Sequence, residues 1–277
     1  MKADATDPYG DLNIYYIQGR VGTAAPLTGE GCIGNWEEDA FSFLFFSKPA
    51  DREVAELLSD RPDLTLIDRY QMTYADWHGG SVTAFRAGRF NIVPPWEAAG
   101  KPDKDTIILD PGVVFGTGGH ATTHTCLEAM ELAFDRARID TVLDLGTGTG
   151  LLALAAAKLG CRQALAVDFN LLAARTARAN IRLNGFDDRI LAVHGRAEEL
   201  VDCPSDLVVA NIHYDVMRQL IATDGFLAGK WFILSGLLRS EARRIADILK
   251  RYPVRIHRTW EQDGVWHTFF GKITGRK

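Results

Sequence analysis

From residue 141 onward, short apolar runs alternate with longer stretches of helical period. Thr141–Leu145, Ala164–Val167, Ile190–His194, Leu207–Asn211 and Trp231–Ser235 read as strands, because a brief apolar run bounded by turn residues suits a strand covered on both faces. Between them, residues 151–159, 171–183, 213–222 and 239–251 carry apolar side chains at helical spacing. Gly160 and the Asn184-Gly185 pair stand where helices end, since both residue types tolerate the left-handed turn that closes a helix. Strands alternating with helices predict a mostly parallel α/β sheet. Val254–His257 and Trp266–Gly271 follow with no helix between them, so the sheet should end with an antiparallel strand.

The first hundred residues follow another pattern. The chain is polar and glycine-rich up to about residue 30, apart from a strand at Asn13–Ile17. Phe41–Ser47 predicts a strand closed by Lys48-Pro49, residues 50–59 a short helix carrying Val54, Leu57 and Leu58, and Leu64–Ile67 another strand. Val82–Phe85 and Phe90–Val93 suggest a hairpin across Ala87-Gly88. Three prolines, Pro94, Pro95 and Pro102, mark a linker. The expected organisation is a small α+β domain over residues 1–96 and an α/β domain over residues 97–277.

Charge follows this division. Residues 1–100 hold 8 Lys and Arg against 15 Asp and Glu, and the remainder holds 23 against 21. An acidic first part disfavours direct contact with nucleic acid and favours a basic protein partner, unless it is only a solvated surface. No uncharged apolar run reaches the roughly 18 residues that span a bilayer, and no basic-then-apolar leader opens the chain. Cys32, Cys126, Cys161 and Cys203 lie far apart with no C-x-x-C pair. Neither a metal site nor a disulfide framework is expected, and a reducing cytoplasm fits.

The candidate chemistry sits in Thr141-Val142-Leu143-Asp144-Leu145-Gly146-Thr147-Gly148-Thr149-Gly150, answered by Asp168 at the end of the next strand. Glycines between a strand and a helix let a ligand approach the backbone, and a strand-end carboxylate can grip a ribose. The dinucleotide fingerprint wants a glycine where this chain has Leu151. Asp144 is a second departure, since a carboxylate in that turn repels a pyrophosphate but attracts the cationic end of S-adenosylmethionine. The pattern D-x-G-x-G-x-G with a following strand-end acid resembles the class I S-adenosylmethionine-dependent methyltransferases.

Two further segments narrow the resemblance. Asp110-Pro111-Gly112-Val113-Val114-Phe115-Gly116-Thr117-Gly118-Gly119-His120-Ala121-Thr122-Thr123 precedes the glycine turn, and Val208-Val209-Ala210-Asn211-Ile212 follows it. With Ser235-Gly236-Leu237-Leu238, these resemble the methyltransferases of large-subunit ribosomal protein eleven, the PrmA family, over about residues 74–277. The resemblance implies a Rossmann-like domain preceded by a smaller α+β domain that recognises substrate. It also implies transfer of methyl groups to lysine or N-terminal amines of that ribosomal protein. Residue by residue, it implies cofactor contacts from Thr123 and the Gly146 backbone, with Asp168 on the ribose hydroxyls; the reading of the turn itself adds Asp144 and Gly148 as cofactor-binding candidates, and Asn211 joins the same set. Asn211 would face both the methyl group and the incoming amine as the catalytic residue.

His213-Tyr214-Asp215 replaces the small apolar pair usual in that family after Asn211-Ile212. It keeps open another protein lysine or a small amine as acceptor. Two readings from other classes also remain: a nicotinamide-dependent oxidoreductase with an unusual turn, and a silent binding module. His120 is expected to brace its loop and His213 to sit on the surface at a helix start. Trp77, Trp96, Trp260 and Trp266 are expected to pack in a core or interface, and Arg175 with Arg178 to form a solvated helix face.

Overall fold

The computed structural model describes residues 10–22, 30–100, 102–114 and 116–275. Much of the polar opening segment, and Phe115 of the D-P-G segment, lie outside the described residues. The chain divides into two compact units. The first comprises residues up to Thr83 with Gly112–Val114 and Asn170–Leu172, and the second comprises Ala84–Pro111, Phe115–Phe169 and Ala173–Lys277.

In the first unit, β1 (Asp11–Gln18), β2 (Cys32–Glu38), β3 (Phe41–Phe46), α1 (Asp51–Asp60), β4 (Thr65–Thr73) and α2 (Tyr74–His78) follow one another. The strands form an antiparallel sheet in the order β2-β3-β1-β4. Alternation on β1 and β3 sends Tyr15, Ile17, Leu44 and Phe46 to one face, where they bury Val54 of α1. The Tyr15 hydroxyl accepts the Ala50 N–H at 2.7 Å, so the one polar atom of this aromatic core is satisfied at the helix start. β4 runs six residues beyond the expected Leu64–Ile67. Its side chains are mostly exposed, so no clean alternation marks them.

The second unit opens with β5 (Phe85–Ala87), β6 (Phe90–Val93) and β7 (Thr106–Ile108); the first two form the expected hairpin, with its first strand at Phe85–Ala87 in place of Val82–Phe85 and its turn at Gly88-Arg89. Then come α3 (Ala121–Arg136), β8 (Thr141–Leu145), α4 (Leu151–Leu159), β9 (Gln163–Asp168), α5 (Leu171–Leu183), β10 (Ile190–His194), α6 (Ala197–Leu200) and β11 (Leu207–Asn211). α7 (Tyr214–Ile221), α8 (Asp224–Ala228), β12 (Trp231–Leu238), α9 (Arg239–Leu249), β13 (Val254–Gln262) and β14 (Trp266–Ile273) complete it. Seven strands form one sheet in the order β10-β9-β8-β11-β12-β14-β13. The first five are parallel, and β14 inserts antiparallel between β12 and β13. The alternation of strands and helices and the antiparallel end are therefore as the sequence pattern predicts. Strand order reverses between β8 and β11, and such a sheet binds ligands outside the carboxyl ends of its strands at this switch.

Both faces of this sheet are covered. Leu151–Ala157 of α4 is buried all round, which explains its lack of a polar face. α3 shows no apolar stripe in Ala121-Thr122-Thr123-His124-Thr125 and was not expected as a helix, yet Thr122, Thr123 and Thr125 are all buried.

Candidate active site

The glycine turn is held from below by the strand beside it. The Gly146 and Thr147 amides both donate to the Val167 carbonyl, at 2.8 and 2.9 Å, and Gly150 N–H closes the turn on the Thr147 carbonyl at 2.9 Å. Gly146, Gly148 and Gly150 have φ of 73°, 56° and 86°, a left-handed backbone that side chains make costly. A Cβ at Gly146 would overlap the Ile212 methyl, and one at Gly150 would press on Ala177 at 3.2 Å.

Two carboxylates meet this turn. Asp168 ends β9, is buried, and accepts the Gly148 N–H on Oδ2 at 2.9 Å. Asp144 lies beneath the turn with no exposure. Its Oδ2 accepts the Thr147 hydroxyl at 2.6 Å and the Ala153 N–H at 3.1 Å, while Oδ1 has no hydrogen-bond partner among the described residues. Burial pushes its carboxyl up to about 7; those two hydrogen bonds oppose the rise and the nearby Asp168 charge adds to it.

Asn211 ends β11 beside Ser235 of β12. Its Nδ2 donates to the Thr122 hydroxyl at 3.2 Å, which ties it to the first turn of α3. Thr123 is buried in the same turn, with its N–H donating to the His120 carbonyl at 2.9 Å. All six candidate residues, Thr123, Asp144, Gly146, Gly148, Asp168 and Asn211, thus belong to elements meeting at the carboxyl edge of β8, β9 and β11.

Several residues that shape this edge were not singled out from the sequence. Thr149 donates its hydroxyl to the Gly116 carbonyl at 2.7 Å and so joins the glycine turn to the D-P-G segment. Asn180 brackets Asp110, accepting its N–H at 2.9 Å and donating to its carbonyl at 2.8 Å, and also donates to the Thr149 carbonyl at 2.9 Å. Asn184 brackets Ile108 in the same way. The available signal is a pair of asparagines four apart, Asn180 on α5 and Asn184 just past its end, which face one extended segment twice. Leu151, the residue that argued against a dinucleotide, is buried at the start of α4, and a Cβ at Gly118 would stand 2.8 Å from its Cδ2.

The other expectations are placed as follows. His213 is exposed at the start of α7, Tyr214 packs against the core beneath the sheet, and Asp215 faces Arg218 at 3.9 Å. Trp260 is buried with Nε1 donating to Glu128, and Trp77 packs on Phe45 at 5.0 Å. Arg175 and Arg178 are exposed. Burial raises the Cys126 and Cys161 thiols to about 12 and 11, far from thiolate chemistry. Among the described residues no group of three or more His, Cys, Asp or Glu could hold a metal ion, and no helix is long and apolar enough to cross a membrane.

The site fits a nucleoside cofactor. The glycine cradle admits no side chains, Asp168 ends β9 beside it with its carboxylate on the Gly148 N–H, and Asp144, wholly buried beneath the turn, braces Thr147 and Ala153.

Comparison with known proteins agrees with this geometry. Residues 49–274 match the family model described as ribosomal protein L11 methyltransferase (PrmA). The ribosomal protein L11 methyltransferase of Bacillus cytotoxicus is 38% identical over 166 residues, covering 58% of this chain and 53% of that protein. That of Anoxybacillus flavithermus is 34% identical over 193 residues, covering 66% and 59%. The match therefore spans somewhat more than half the length of these relatives. A crystal structure of ribosomal protein L11 methylase from Lactobacillus delbrueckii subsp. bulgaricus aligns with a TM-score of 0.58 and 31% identity, covering 68% of this chain and 97% of that one. The chain belongs to the ribosomal protein L11 methyltransferase (PrmA) family.

Proposed function

We propose that the chain is an S-adenosylmethionine-dependent N-methyltransferase acting on protein amino groups, with ribosomal protein L11 as methyl acceptor. The observation that carries this reading is the convergence of Asp168, the Gly146–Gly150 turn and the Asn211 amide at one sheet edge. The relatives, named as ribosomal protein L11 methyltransferases, support the acceptor. Such a substrate is made in the cytoplasm, which is where the reaction would run.

Thr123, Gly146, Gly148, Asp168 and Asn211 would hold the cofactor, and Asp144 would act on it through the turn that it braces at Thr147 and Ala153. When bound, S-adenosylmethionine supplies a sulfonium methyl already activated for displacement. The protein's part is placement. An ionised Asp168 can accept both ribose hydroxyls, and the Gly148 N–H on its Oδ2 orients it. Asn211 accepts a hydrogen bond from the amine and aims its lone pair along the line of attack, so the gain is one of orientation. The amine must be neutral. A free lysine has a pKa of about 10.4, and an amide is no base, so the proton leaves before transfer. Residues 1–96, with seven more acidic than basic side chains up to position 100, would recognise the basic substrate, and residues 97–277 would hold the cofactor.

The exposed His213 and half-buried Tyr214 immediately after Asn211-Ile212 favour a second reading, in which another protein lysine or a small amine receives the methyl group. Calorimetric titration with S-adenosylmethionine and, separately, with NADH tests the cofactor. Saturable binding of the first is expected; binding of NADH alone would overturn the reading.

A further inference from the structure

We propose that His120 and Thr122 form a positioning relay that turns the Asn211 amide so that its oxygen, not its nitrogen, faces the reacting amine. The proposal rests on the reading that Asn211 meets that amine. The two faces of a carboxamide have nearly the same shape, so packing cannot choose between them; the hydrogen-bond pattern must.

The relay begins at a backbone amide. Thr122 N–H lies 3.3 Å from His120 Nδ1. A backbone N–H can only donate, so Nδ1 must present its lone pair and the ring proton sits on Nε2. The Thr122 hydroxyl lies 2.8 Å from the same Nδ1, and it must therefore donate as well. That uses its single proton. What the hydroxyl shows to Asn211, 3.2 Å away, is a lone pair, and only the amide NH2 can answer it. Oδ1 is thereby turned the other way.

Neighbouring residues keep this arrangement intact. Trp266 packs edge-on against the His120 ring at 4.8 Å and 74°, fixing the direction of Nδ1. Thr122 is buried, so water does not compete for its hydroxyl. Gly236 has a φ of 84°, and a Cβ there would stand 3.0 Å from Asn211 Oδ1; glycine leaves the oxygen uncovered. Without the relay, the amide can turn its NH2 toward the amine, where a donor competes for the lone pair that attacks carbon. Cofactor binding then survives and transfer slows.

The test uses the whole chain with S-adenosylmethionine and purified ribosomal protein L11, reading turnover and cofactor affinity separately. Thr122→Val, which keeps the shape and loses the hydroxyl, should lower kcat about tenfold, the worth of one directing hydrogen bond, with cofactor affinity unchanged. Thr122→Ser should restore turnover. In an Asn211→Asp background both faces are oxygen, so adding Thr122→Val should change turnover no further; such non-additivity distinguishes orientation from general damage. The relay is overturned if Asn211→Ala slows transfer but Thr122→Val does not, or if the effects of Thr122→Val and Asn211→Asp multiply. Full turnover in Asn211→Ala would remove the underlying reading and the relay with it.

Discussion

Replacing Asp144 by asparagine should stabilise the protein, and increasingly so as pH rises. The carboxyl is wholly buried and held at about 7 against an ordinary 3.8. The folded chain therefore holds this proton more tightly than the unfolded chain. Below about pH 4 both forms are protonated and nothing is lost. Between about 4 and 7 the folded state binds the extra proton, so stability falls as pH rises, and above about 7 the full loss is present. A shift of about three units corresponds to ~4 kcal/mol. Asparagine cannot ionise, and its oxygen can still accept from the Thr147 hydroxyl and the Ala153 N–H. Its NH2 takes the position of the unpartnered Oδ1, which returns about 1–3 kcal/mol of that gain. The net at pH 8 is about 1–3 kcal/mol, or very roughly 3–10 °C in Tm. Thermal unfolding of both proteins by circular dichroism from pH 5 to 9 measures it, and other titrating groups cancel in the difference. A Tm difference that stays constant across that range would show that Asp144 does not titrate there, refuting the reasoning.

Other predictions follow from the same geometry. Gly146→Ala should lose about 1–2 kcal/mol to left-handed strain beyond its overlap with Ile212; adding Ile212→Ala should recover only the overlap, and a urea denaturation showing no recovery would contradict the contact. Asp206→Ala should cost about 2–4 kcal/mol in the same measurement, because the Asp140 and Thr141 amides and Lys230 all donate to that carboxylate. It should leave cofactor affinity unchanged, since it precedes β11 at the end opposite Asn211. Burial alone would raise the Asp206 carboxyl, but those donors outweigh it and hold it low, so this stability is present at neutral pH and lost as pH falls below about 4. Asp168→Ala should abolish S-adenosylmethionine binding by calorimetry while Asn211→Ala mainly slows transfer; unchanged affinity in the Asp168 variant would refute the ribose assignment.

How much was legible in the sequence depended on where polarity alternates. β8 to β12 and α4, α5, α7 and α9 were readable because each buries a strand or stripe against a sheet covered on both sides. β4 extends beyond its legible segment and β2 carries no strand pattern, since partly exposed strands lack clean alternation. α3 was hidden for a different reason: its first turn is built of threonines that turn inward to bond with His120, Asn211 and Thr268. The glycine turn and Asp168 were legible because their spacing along the chain is itself the geometry. The bracketing by Asn180 and Asn184 was not, because it joins residues about seventy positions apart.

Methylation of amines of ribosomal protein L11 is the proposed reaction of this chain. Incubation with methyl-labelled S-adenosylmethionine and that purified protein, beside a lysate of the source cell, tests it most directly. Label on lysine or N-terminal amino groups of ribosomal protein L11, appearing more slowly with the Asn211→Ala variant, is the predicted result. An unlabelled ribosomal protein beside a labelled band or small molecule from the lysate would contradict it.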